Sequence, residues 1–219
     1  MTGAVRVDHA VSTGTFSLDG QTFEVENNIW VVGDDLECVV IDAPHDVDAI
    51  LAVVGDRRVR AILLTHAHDD HVRVAPELRE RVGAPILLHP DDRPVWALTH
   101  PGETWDADLA DGHVIQVADI ELTVLHTPGH APGAVCFYAP SLGRVFTGDT
   151  LFEGGPGATG RSFSDADLIG ASIASKLFTL PVATVVHTGH GADTTIGAER
   201  PVGVLNLDGL RAAMRSRPM

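Results

Sequence analysis

The chain has 219 residues, 44% of them apolar, enough to bury a sizeable core and too apolar for a disordered chain. Its net charge is −15 and it has no lysine- or arginine-rich block, which argues against a nucleic-acid partner. No apolar stretch approaches the roughly 20 residues that span a bilayer, and residues 1–30 lack a basic segment followed by an apolar run. A cytoplasmic protein with no leader and no membrane association is expected, folded as a single domain over residues 1–219.

In chain order, β-rich runs bounded by Gly, Pro or Asp predict strands at Ala4–Val11, Thr22–Glu26, Ile29–Val32, Cys38–Ile41, Ala61–Leu64 and Pro85–Leu88. A second set is predicted at Val114–Val117, Glu121–Leu125, Val135–Tyr138, Arg144–Phe146 and Thr184–Val186. Helices are predicted at Asp46–Val54, Val72–Arg81, Asp91–Leu98, Asp165–Leu180 and Leu207–Arg215. The fourth carries an apolar stripe of Leu168, Ile169, Ile173, Leu177 and Leu180, with Ser164 as its expected N-cap. Several strands precede each group of helices, so sheets covered by helices are expected instead of a simple doubly wound sheet. Cys38 and Cys136 each lie inside an apolar run and read as buried, reduced thiols.

The chemistry concentrates in Thr65–His71, T-H-A-H-D-D-H, directly after an apolar strand. Residues two apart on an extended segment project to one side, so His66 and His68 can bind one metal through their imidazoles. Asp70 and His71 follow where the chain turns into a helix, and can serve a neighbouring metal. One segment cannot fill two coordination spheres, since each zinc takes about four ligands. His130 in H-T-P-G-H, Asp149 in F-T-G-D-T-L-F and His190 in H-T-G-H-G are the further candidates. Each lies in a Gly-containing turn after a strand-like run, where functional groups gather and the backbone can approach closely. This selects seven donors without dividing them between two metals.

Taken together, H-A-H-D-D-H, T-P-G-H, G-D-T-L-F and T-G-H-G resemble, in order, the ligand motifs of the metallo-β-lactamase superfamily, within it the glyoxalase II (hydroxyacylglutathione hydrolase)-like branch. The strand Cys38–Asp42 with its terminal Asp, and the run Thr194–Arg200, match as well. The resemblance covers roughly residues 25–200 and implies an α/β fold, the four-layer αββα sandwich, with metals at the strand ends between two sheets. It implies His66, His68 and His130 on one metal, Asp70, His71 and His190 on a second, and Asp149 bridging them. Asp42 would orient a ligand by hydrogen bonding. The implied cofactors are two divalent ions, zinc first, with iron or manganese as alternatives.

Two cations a few ångströms apart lower the pKa of a bridging water, and Asp70 and Asp149 would hold and orient that nucleophile. A hydrolase of a small-molecule thioester is the implied activity, because a thiolate leaves with little protonation. Two departures point away from glutathione itself. Glyoxalase II enzymes carry a basic C-terminal helical extension, and this sequence reaches Met219 too soon for it. Where they read G-G-x-G-R-T, this chain reads G-G-P-G-A-T-G-R. A thioester of another small thiol, such as mycothiol, is expected, with Arg161 as a candidate partner for a substrate carboxylate. Mononuclear iron persulfide dioxygenases and lactonases of the same superfamily are the alternatives. His126 and His187 read as structural neighbours of the ligand loops; His9, His45, His89, His100 and His113 match no ligand position, although His45 follows Asp42 closely enough to reach the cleft. The run Gly154–Gly160 is expected to wall the site.

Overall fold

The computed structural model describes residues 3–200. Strands β1 (Arg6–Leu18), β2 (Gln21–Gly33), β3 (Glu37–Ile41), β4 (Arg58–Leu63), β5 (Ile86–Leu88) and β6 (Ala107–Asp108) form one sheet in sequential order. The first three strands pair antiparallel and the next three parallel. The second sheet holds β7 (Val114–Val117), β8 (Ile120–His126), β9 (Val135–Ala139), β10 (Arg144–Gly148), β13 (Val185–Thr188) and β14 (Thr194–Thr195), in the order β14-β13-β10-β9-β8-β7. A small ribbon, β11 (Leu151–Phe152) with β12 (Gly155–Pro156), leaves the end of β10. Helices α1 (Val47–Val54), α2 (Asp69–Val72), α3 (Ala75–Val82) and α4 (Arg93–Thr99) belong to the first half, α5 (Ala166–Ser172) and α6 (Ile196–Glu199) to the second.

Strand periodicity divides the side chains among three cores. Along β2 and β3, Ile29, Val31, Cys38 and Val40 face the first helical layer, while Trp30, Val32, Val39 and Ile41 face the other sheet. Along β9, Val135, Phe137 and Ala139 enter the inter-sheet core and Cys136 faces α5. Strands buried on both faces read as continuous apolar runs, which is why they were visible in the sequence. The result is the expected αββα arrangement. Both cysteines are free and buried, and burial pushes each thiol up to about 11.

Several boundaries move, for identifiable reasons. Thr22–Glu26 and Ile29–Val32 are parts of one strand, unbroken through Asn27 and Asn28, whose side chains turn inward and find buried partners. The expected helix Val72–Arg81 is instead α2 and α3, separated at Arg73–Val74, with Pro76 in the first turn of α3. Ser164 is not the N-cap of α5. That role falls to Asp165, whose carboxylate accepts from Asp167 N and Leu168 N, both at 2.9 Å. The Ser164 hydroxyl closes the preceding turn, accepting from Gly160 N and donating to Arg161 O. The expected helix Asp165–Leu180 changes pitch after Ser172 to a π-turn over Ile173–Leu177, closed by Phe178 N donating to Ile173 O at 2.9 Å. The helix read at Leu207–Arg215 lies outside the described residues. Among the described residues no helix is long and apolar enough to cross a membrane.

Phe137 is fully buried where the two sheets meet. Phe137→Ala should cost about 3–5 kcal/mol in urea unfolding at fixed metal content. A loss below about 1 kcal/mol would mean that the sheets do not pack through this residue.

Candidate metal centre

All seven sequence-selected donors converge at one end of the two sheets. His66 and His68 follow β4, and Asp70 and His71 lie in α2. His130 sits in the β8–β9 loop, Asp149 just after β10 and His190 just after β13. His68 Nδ1 is 3.0 Å from both His66 Nε2 and His130 Nε2. His71 Nε2 is 3.2 Å from His190 Nε2, and His190 Nε2 is 3.3 Å from Asp70 Oδ2. Asp149 lies between these groups, with Oδ1 3.3 Å from His71 Nε2 and Oδ2 3.5 Å from His130 Nε2 and 3.4 Å from His190 Nε2.

The far side of most rings is anchored, which decides where the lone pairs point. His130 Nδ1–H donates to Ala158 O at 2.9 Å and His190 Nδ1–H to Glu26 O at 2.7 Å. His71 Nδ1–H donates to Asp42 Oδ2 at 2.9 Å. The Thr65 hydroxyl donates to the same Asp42 oxygen at 2.8 Å and accepts from His66 Nδ1 at 3.1 Å. Each of these four rings therefore turns its Nε2 lone pair inward.

The electrostatics differ between the two halves. Burial, aided by neighbouring imidazoles, pushes His66 well below the usual histidine range and His68 down to about 3. Burial lowers His130 too, Asp149 opposing it. That half offers three neutral lone pairs. In the other half burial would lower His71, but Asp149, Asp70 and Asp42 outweigh it and hold the ring well above its usual range. His190 is raised to about 10, the pull of Asp149 overcoming desolvation. Burial would raise Asp70, yet His71 and bonds from His190 and Asn27 bring it to about 2. That half draws positive charge.

The donor set suits divalent cations. Five imidazoles and two carboxylates within a few ångströms form a mixed nitrogen and oxygen set. The buried Asp149 Oδ1 has no hydrogen-bond partner among the described residues, as expected of an oxygen shaped for a cation. Glycine clears the space: a Cβ at Gly189 would strike Asp149 Oδ1 and His71 Cε1.

Three supporting residues carried no signal in the sequence. Asp92, fully buried before α4, accepts from Ala67 N at 2.7 Å and Gly133 N at 2.5 Å, tying the His66–His68 segment to the His130 loop. Asn28 donates to Thr188 O and Gly191 O, each at 3.0 Å, and so holds the His190 loop. Asn27 touches the second group directly. A lone Asp near a helix start or an Asn pair in a strand has no distinguishing pattern. Of the remaining histidines, His187 bonds Asp193 and Arg144, and His126 bonds Pro132 O and stacks on His89. Among the described residues, His45 reaches the cluster through Asn27 Oδ1, at 2.8 Å.

Beside the donors opens a cavity of about 200 Å³ lined by Phe16, Phe23, Val25, Ala158 and Arg161. The Gly154–Gly160 run thus contributes one wall. The Arg161 guanidinium lies 4.5 Å from the Phe23 ring centre and 5.5 Å from that of Phe16, with Gln21 Oε1 at 3.4 Å. It makes no ion pair with a carboxylate among the described residues.

A four-layer αββα sandwich with a His/Asp cluster at the strand ends defines the class of proteins built on the metallo-β-lactamase fold. The chain belongs to the metallo-β-lactamase superfamily, whose family model matches residues 23–190. The hydroxyacylglutathione hydrolase GloC of Haemophilus influenzae is 31% identical over 187 residues, 78% of this chain and 87% of that protein. Among solved structures, TTHA1623 in a di-iron-bound form shares 35% identity at a TM-score of 0.69, over 80% of this chain and 92% of that one. The B3 metallo-β-lactamase BLEG-1 shares 30% identity at a TM-score of 0.72, over 85% of this chain and 95% of that one.

Asp42→Asn keeps the shape and tolerates the positive φ of 63° at this position. It replaces an acceptor that serves both Thr65 and His71. Metal affinity at the His71 side should fall about 10–100-fold in chelator competition, with the fold retained. Unchanged affinity would show that Asp42 does not set the ring.

Proposed function

We propose that the protein is a dinuclear metal-dependent hydrolase of small-molecule thioesters. The observation that carries this reading is the joining of two donor groups through one carboxylate, Asp149, at the floor of a cavity with apolar walls. His66, His68 and His130 would hold one ion, Asp70, His71 and His190 the other, and Asp149 would serve both. When bound, two such ions supply a hydroxide near neutral pH and polarise a carbonyl oxygen. Zinc suits the set, and the di-iron form of TTHA1623 keeps iron as an alternative.

The chain's own residues decide which leaving group succeeds. Apart from the seven donors, the described lining holds no carboxylic acid, histidine, tyrosine or lysine to protonate a departing amine. A thiol, with a pKa near 8.5, departs as thiolate without such help. Water adds at the acyl carbon, the carbon–sulfur bond breaks, and the thiolate takes up a proton in solvent. This favours thioesters over β-lactam amides despite the likeness to BLEG-1. Phe16, Phe23 and Val25 exclude water from the acyl side, and Arg161 is placed to pair with one substrate carboxylate. Glutathione carries two carboxylates, and the described lining offers this one guanidinium, so a low-molecular-weight thiol with fewer carboxylates than glutathione fits the cavity better.

Steady-state kinetics on lactoylglutathione, a mycothiol thioester, a lactone and glutathione persulfide test the reading. Thioester turnover is expected, with a raised KM for lactoylglutathione, and Arg161→Ala should raise KM about tenfold with little change in kcat. Oxygen consumption with the persulfide and no thioester turnover would establish a dioxygenase instead. Turnover of the lactone alone would establish a lactonase.

A further inference from the structure

Asn27 interrupts an otherwise readable strand, yet it is only 1% exposed. Its carboxamide points into the Asp70–His71–His190 group. Nδ2 lies 3.0 Å from Asp70 Oδ2 and 3.4 Å from both His71 Nε2 and His190 Nε2. Those three atoms are themselves 3.2, 3.3 and 3.6 Å apart. The six separations are the edges of a nearly regular tetrahedron, whose centre lies about 2.0 Å from each corner, the length of a zinc bond to nitrogen or oxygen. The outer end of the Asn27 side chain is the fourth corner.

A cation at that centre cannot tolerate an N–H group aimed at it from bonding distance, and an amide nitrogen has no lone pair to offer. The two ends of a carboxamide have nearly the same shape, and the surrounding hydrogen bonds decide which is oxygen. Without a cation, the Asp70 carboxylate selects the NH₂ end. With one, the same geometry selects the oxygen. Turning the amide over hands its NH₂ group to His45 Nε2, which stands 2.8 Å from the other end of the carboxamide. A neutral imidazole meets either end by changing tautomer. Among the described residues, His45 Nδ1 has no hydrogen-bond partner to hold it in one form.

From this we infer that Asn27 Oδ1 is an additional ligand of the second metal position, with His45 as the partner that permits the amide to turn. The inference rests on the two-metal reading above. It adds an amide oxygen to two imidazoles and two carboxylates, and makes β2, in addition to the ligand loops, part of the centre.

Cobalt(II) titration of metal-free full-length protein tests it, following visible absorption, whose intensity rises as coordination number falls, together with chelator competition. Asn27→Ala should weaken the second cobalt ion by tenfold or more, leave the first unchanged, and raise the intensity of the second-site band. Asn27→Asp, which returns an oxygen to the same corner, should restore both. A bond donated to Asp70 without any to the metal would weaken binding in the alanine variant and leave the band unaltered, which would overturn the inference. Wild-type affinity for both ions in Asn27→Ala would overturn it as well. A wild-type protein that takes up a single cobalt ion would defeat the two-metal reading itself, and this inference with it.

Discussion

The arrangement of the centre depends on one buried carboxylate. Asp42 follows β3 in a left-handed conformation, which turns its side chain across the neighbouring parallel strand. There Oδ1 accepts from Thr65 N at 2.7 Å, while Oδ2 accepts from the Thr65 hydroxyl and from His71 Nδ1. Through that hydroxyl the same carboxylate orients His66. Two rings, one from each donor group, are thus aimed by a single residue that touches no proposed metal position. A carboxylate only 3% exposed would be costly without partners, and its bonds to these groups make the burial tolerable.

The second sheet is fixed to this frame by polar bonds at the same end. Trp30 Nε1 and Asn28 Nδ2 both donate to Thr188 O, so β2 holds the end of β13 and the His190 loop across the sandwich. Asp92 does the corresponding work for the His130 loop, and Thr65 O accepts from Val135 N at 2.8 Å. The apolar inter-sheet core places the two sheets, and these bonds set the separation of the donors they carry. One short segment, His66–His71, and three loops far from it in sequence become one centre because the strands beneath them are buried on both faces.

This division explains what was legible in the sequence. The continuous apolar runs gave the strands; His66, His68, Asp70 and His71 stood out as a dense cluster directly after one of them, and His130, Asp149 and His190 because each adjoins a glycine after a strand. Their partition between two positions came from the resemblance to a known family. What escaped were polar groups whose meaning is positional. Asn27 and Asn28 looked like a break between strands because two asparagines oppose β propensity, whereas their side chains are satisfied inside the centre. Asp92 falls in the first turn of the expected helix Asp91–Leu98, and nothing in its sequence neighbourhood marks its buried role. Ser164 looked like a cap because it precedes an acidic turn, yet the next residue has the extended backbone an N-cap needs, with φ −144° at Asp165.

The central claim is that the cluster holds two ions bridged by Asp149. Anomalous diffraction from crystals of metal-replete protein tests this most directly. Two peaks about 3.5–4 Å apart are predicted, one beside His66, His68 and His130, the other beside Asp70, His71 and His190, with the Asp149 carboxylate between them. A single peak, or His130 or His190 turned away from the density, would contradict the account.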